Sequence, residues 1–165
     1  MPRPVYQPDA AVFQRVAEAL APDVAAVVLA TGRLTPALLS VQQGLHRKAL
    51  RHNWSEGLPT RIVKHPLCDY GTALAVYWMG RPVHDQAFAA LSQVPEWRRP
   101  AFRFLRQLEK RLLACDFVSA NLRFDPKRDR GPDPSSDYDW TANTSEAPVL
   151  RPIPERLHLP SRAGR

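Results

Sequence analysis

Cysteine is nearly missing from this chain: Cys68 and Cys115 are the only two in 165 residues. Two thiols cannot build a disulfide framework or a four-thiolate zinc site. Glycine is scarce too, at seven residues, and Gly32, Gly44, Gly57, Gly71 and Gly80 each stand alone. No glycine-rich loop is therefore present to cradle a phosphate. The longest apolar run, Val24 to Ala30, is far short of the roughly 20 residues that a membrane span requires. The opening MPRPVYQPDA has neither the apolar stretch nor the small-residue cleavage site of a secretory leader. The expectation is a cytoplasmic protein with no membrane partner. Metal-ligand spacings of the CxxC and HExxH kind are also lacking. His46 and His52 stand six apart, which on a helix points them in different directions. With His65, Cys68 and His84 they form no recognisable ligand set, so no metal or other cofactor is expected.

What is present is an apolar content of 44%, enough to build a core. The net charge is +7, carried by 19 arginines and only 4 lysines. It is unevenly placed: residues 1–125 carry +6 and residues 126–165 only +1. A basic folded part suits nucleic acid, an anionic partner or an acidic protein, and does not by itself choose among them.

Periodicity predicts a mainly α fold, an irregular bundle of about six short helices over residues 8–125, followed by a proline-rich tail. A first helix is expected from about Pro8 to Ala21, because Val12, Phe13, Val16, Ala17 and Leu20 share one face of a 3.6-residue period. Asp9 is its expected cap or first-turn acid. Val24 to Thr31 reads as a short buried helix ended by Gly32, with a strand as the alternative because its valines are β-branched. Thr35-Pro36 is a strong helix start, leading to about His52 with Leu38, Leu45 and Ala49 inward. Further helices are expected from Leu58 to the His65-Pro66 stop, over Tyr70 to Met79 behind an Asp69 cap, and over Asp85 to Val94. The clearest element is Pro100 to Cys115. Phe102, Leu105, Leu108 and Leu112 share one of its faces, and Arg99, Arg103, Arg106 and Lys110 follow a 4-3-4 spacing on the other. Leu122 to Phe124 could form a short extended segment. From Pro126, the first of seven prolines in the rest of the chain, periodicity vanishes, so residues 126–165 are expected to be largely irregular. Tyr138, Trp140, Val149, Leu150, Ile153 and Leu157 remain as isolated anchors there, for the domain or for a partner.

One stretch carries a recognisable pattern. Asn53-Trp54, Gly57 and then His65-Pro66-x-Cys68-Asp69-x-Gly71-Thr72-Ala73-Leu74 resemble the signature of an uncharacterised bacterial family, the domain of unknown function 4274. The later Asn121 to Pro126 (NLRFDP) is similar to that family's closing segment, giving a family-like part of 45–126. Ser55 stands where an acidic residue is usual. The resemblance implies no established activity, and partner binding or toxin neutralisation follows from it only by analogy. The residues themselves suggest a structural role. Asp69 can accept the Gly71 or Thr72 amide at a new helix start. Gly71 allows close approach, Pro66 fixes the turn, Cys68 behaves as a small buried hydrophobe, and Trp54 fills a gap between helices.

A cysteine nucleophile would need Cys68 with His65 or His52 as base and Asp69 as orienter. His65 and Cys68 are separated by Pro66 in a turn, and no oxyanion-hole pattern accompanies them, so a non-enzymatic protein is expected. Asp85, Glu96 and Asp125 are single acids near turns, for which solvation is the default. Arg99, Arg103, Arg106 and Lys110 form the candidate partner-binding face, with Arg98 and Arg111 near and His46 to His52 (HRKALRH) as an extension. An amphipathic helix ordinarily turns such a face to water. As a binding face it suits a protein partner of acidic character, or alternatively a nucleic acid. The expectation is an interaction module, with toxin neutralisation as one concrete form.

Overall fold

The structure, a computed structural model, describes residues 6, 8, 10–51, 57–129 and 138–161. Asp9, His52, Asn53, Trp54 and Ser55 lie outside the described residues. Among the described residues the fold is mainly α, with six α-helices and no strand. They are α1 (Ala10–Glu18), α2 (Pro22–Thr31), α3 (Pro36–Arg51), α4 (Leu58–Lys64), α5 (Tyr70–Met79) and α6 (Arg99–Leu113). No single described helix is long and apolar enough to cross a membrane.

The helix α5 is the axis of the fold. Every residue from Tyr70 to Trp78 is buried, as befits a helix that is apolar on all sides. Helices α3, α4 and α6 pack around it. Helix α6 contributes Phe102, Leu105, Leu108 and Leu112, its predicted apolar face. A smaller cluster joins Val12 and Val16 of α1 to Leu67 and Val118.

Helix α2 is a helix, not a strand, because Pro22 sits at its first turn and Gly32 closes it in the left-handed region at φ 63°. It is not the buried helix expected. Only Val28 is buried, while Val27 and Leu29 remain about half exposed. Residues 85–94 also depart from expectation. Two turns of 3-10 helix, Pro82–Ala87 and Leu91–Gln93, replace the α-helix. Phe88 adopts an extended backbone between them. The Ala89 amide donates to the Gln93 side chain rather than to a helical carbonyl.

The described part of the tail is irregular except for a 3-10 turn at Glu155–His158, yet it belongs to the same packing unit as the helices. Trp140, Ile153 and Leu157 enter the core around α5, and Trp78 Nε1 donates to the Leu157 carbonyl at 2.9 Å. The change at residue 126 is thus one of secondary structure, not a boundary between separate cores. Residues Leu122 to Phe124 form no strand. Their backbone is taken up by hydrogen bonds to Asp69 and Ser161 instead.

Candidate functional site

Two regions were marked by the sequence, the signature segment and the basic face of α6. In the first, Pro66 is the second residue of the turn after α4, which the Cys68 amide closes on the His65 carbonyl at 2.9 Å, and Asp69 starts α5 with an extended backbone. The Asp69 carboxylate is fully buried and accepts four hydrogen bonds. Oδ1 accepts from the Gly71 amide at 2.8 Å and the Leu122 amide at 3.2 Å. Oδ2 accepts from Ser119 Oγ and the Asn121 amide, each at 2.7 Å. Burial raises the carboxyl's pKa above the usual carboxylate value, and the donors from Ser119, Asn121, Gly71 and Leu122 oppose the rise.

The network continues outward. Ser119 Oγ accepts from Gln42 Nε2 of α3 at 2.9 Å, and the Ser119 carbonyl accepts from the Tyr70 amide at 2.8 Å. His46, also on α3, meets Thr72 Oγ1 through Nδ1 at 2.9 Å. Gly71 lies against the same chain segment. A Cβ built on it would stand 2.0 Å from the Leu122 carbonyl oxygen. Only glycine permits that approach. Asp69, Gly71 and Thr72 therefore lock α3, α5 and the strand-less segment 119–122 together.

This arrangement does not assemble a nucleophile. Cys68 is 1% exposed, its Sγ faces the Asp69 carbonyl at 3.6 Å, and burial pushes its thiol pKa well above the ordinary value. The His65 ring accepts from the Leu67 amide at 3.1 Å within its own turn. The Asp69 oxygens are taken up by the four donors already named. No group of three His, Cys, Asp or Glu among the described residues could hold a metal.

Burial lowers the pKa of His46, and also of His65 and His158. Each is therefore held neutral in the fold more firmly than in the unfolded chain. Its stabilising contribution is complete above the ordinary histidine pKa of about 6.5 and is lost as pH falls through the folded value. Urea midpoints are expected to decline as pH drops from 7.5 towards 5, and His46→Gln should flatten part of that decline. An unchanged midpoint in the native chain over this range would contradict the assignment.

In the second region the four-residue stripe divides. Arg103 and Lys110 are exposed. Arg99 is half-buried and its Nε donates to the Val94 carbonyl at 3.1 Å. Arg106 lies over the Phe102 ring, 5.7 Å from its centroid, and 3.7 Å from Glu109. Glu109, buried, also accepts from Tyr77 OH at 2.8 Å and pairs with Arg151 of the tail. Arg99 and Arg106 thus hold the fold from the edges of the helix. The neighbours Arg98 and Arg111 do so as well. Arg98 grips both oxygens of Asp85 at 2.9 and 3.0 Å, and Arg111 pairs with Asp116 and caps the Val63 carbonyl.

Trp97 was not anticipated as a surface residue. It sits in the 3-10 turn Glu96–Arg98 immediately before α6 and is 81% exposed. Tryptophan is usually well buried in a folded protein. The exposed positions of α6 that follow are Pro100, Arg103, Gln107, Lys110 and, in its last turn, Leu113. The signal was available in the sequence, since Pro95-Glu-Trp-Arg-Arg-Pro100 sets a tryptophan among three charges between two prolines.

Residues 40–113 match the model of a family described as Domain of unknown function (DUF4274). The resemblance read from the signature thus holds, over a span from within α3 to the end of α6. The match begins before Leu45 and stops short of Asn121 to Pro126, although the Asn121 and Leu122 amides bind the signature's Asp69. No curated protein and no solved structure matches the chain.

Proposed function

We propose that this protein is a non-enzymatic interaction module that binds an acidic protein through Trp97, Arg103 and Lys110. The observation that carries the reading is the 81% exposure of Trp97 at the head of a helix whose outer positions include Arg103 and Lys110. Tryptophan and arginine dominate the energetics of protein interfaces, and exposed cations beside them favour an acidic surface. A non-catalytic role is supported by the chemistry of the signature segment. Its thiol is buried and protonated, and its carboxylate is spent on four backbone and hydroxyl donors. Neutralisation of a toxin is one concrete form of such a module.

The test compares the full chain with Trp97→Ala and with Arg103→Glu/Lys110→Glu as bait in lysate of the source cells. These surface changes should alter folding stability by no more than about 0.5 kcal/mol. The expected result is an acidic protein retained by the native chain and lost with both variants. Retention that ignores the variants would refute the reading. Salt-sensitive binding to a single-stranded oligonucleotide that depends on Trp97 would replace it with nucleic-acid binding, in which the indole stacks on a base.

A further inference from the structure

A different surface, on α2, has no explanation in that reading. Between Asp23 and Arg33 the chain reads VAAVVLATG, with no charge. Val28 is buried, whereas Ala26 and Ala30, which lie opposite it on the helix, are exposed, as are Val27 and Leu29 on its flanks. Asp23 in the first turn and Arg33 just past the Gly32 cap are both exposed. Among the described residues neither side chain takes part in an ion pair. An acidic anchor therefore marks the first turn of an apolar face about 12 Å long, and a basic anchor stands just beyond its other end, past the Gly32 cap.

We infer that α2 is a self-association surface, on which two copies of the chain pack α2 against α2 in antiparallel fashion about a two-fold axis. The sequence of α2 is arranged symmetrically about Val28. An antiparallel pair centred there sets Asp23 of one copy against Arg33 of the other, twice, and sets Ala26 against Ala30. The small alanines let the two backbones approach, while Val27 and Leu29 of each copy cover the sides of the contact. Such an isologous arrangement closes at two copies. The acid and the base at the two ends of the face complement each other in this register, which favours a second copy over other occupants. Each chain carries +7 overall, so most of its surface repels another copy. The uncharged face bounded by one acid and one base is the exception. A parallel pairing would instead bring Asp23 to Asp23 and Arg33 to Arg33.

Sedimentation velocity of the full chain from micromolar to millimolar concentration reads this directly. The native chain should shift from monomer to dimer as concentration rises, with no larger species. Val27→Glu should abolish the shift without altering the melting curve. Asp23→Arg should weaken dimerisation by about tenfold, as like charges then face each other, and Asp23→Arg/Arg33→Asp should restore it. A chain that stays monomeric throughout, or a dimer indifferent to Val27→Glu, would overturn the inference. A dimer lost on single charge reversal but not regained in the double variant would overturn the antiparallel register. Flotation of a monomeric native chain with phospholipid vesicles, lost with Val27→Glu, would give the face to a membrane surface instead.

Discussion

Asp69→Ala is expected to lower the unfolding free energy by about 3–5 kcal/mol, since it strands several donors in the interior at about 1–3 kcal/mol each, less what entering water recovers. A lost helix cap alone would cost only about 1 kcal/mol. The difference arises from chain-distant partners. Gly71 is the only local donor, while Ser119, Asn121 and Leu122 come from some fifty residues downstream. For a domain of this size the loss corresponds to a fall in Tm of roughly 6–20 °C. Asp69→Asn should fare little better, because its amide turns N–H groups towards donors that need an acceptor. Chemical denaturation that finds a loss near 1 kcal/mol would show that the carboxylate serves α5 alone.

Gly71→Ala should cost at least about 3 kcal/mol, at or beyond the upper end of ordinary overpacking. The sign is diagnostic. In an unhindered helix, alanine is favoured over glycine by about 1 kcal/mol, so a helix-only view predicts stabilisation. Here the new Cβ would meet the Leu122 carbonyl oxygen at 2.0 Å and the Ser161 hydroxyl at 2.9 Å. The first is backbone and cannot rotate aside. Relief requires segment 119–122 to move off α5, which also pulls Asn121 and Leu122 from Asp69. Equilibrium denaturation reads the result, and a variant as stable as the native chain would contradict the close approach.

The sequence disclosed local facts well and distant ones poorly, for a physical reason. The cap at Asp69, the apolar face of α6 and the Thr35-Pro36 start of α3 depend on neighbours within a few residues. Periodicity and side-chain chemistry reveal such relations. The partners of Asp69 in residues 119–122 could not be read, because nothing in the Ser119-Ala-Asn-Leu122 run marks it as a donor set. Helix α2 shows a related limit. An apolar run states a tendency to be covered, but not whether the chain supplies the cover, and here it fully buries Val28 alone and half-covers Val24 and Ala25.

The arginine stripe illustrates how far a helical wheel reaches. Spacing correctly opposed Arg99, Arg103, Arg106 and Lys110 to the core face. It could not show that the two at the edges bend inwards, Arg99 to a carbonyl and Arg106 to buried Glu109. Glu109 itself was invisible as a buried acid, since its partners Tyr77 and Arg151 come from α5 and the tail. The tail's anchors were visible as isolated aromatics and aliphatics. That Trp140, Ile153 and Leu157 close the core around α5 is a matter of tertiary contact.

Native-state hydrogen exchange at the amides of Gly71, Asn121 and Leu122 probes the lock without altering a single atom of it. All three N–H groups should exchange only when the whole molecule unfolds, with opening free energies equal to that from denaturant titration. Exchange at Asn121 and Leu122 that is orders of magnitude faster than at the core amides of α5 would mean that the signature carboxylate does not hold the distant segment.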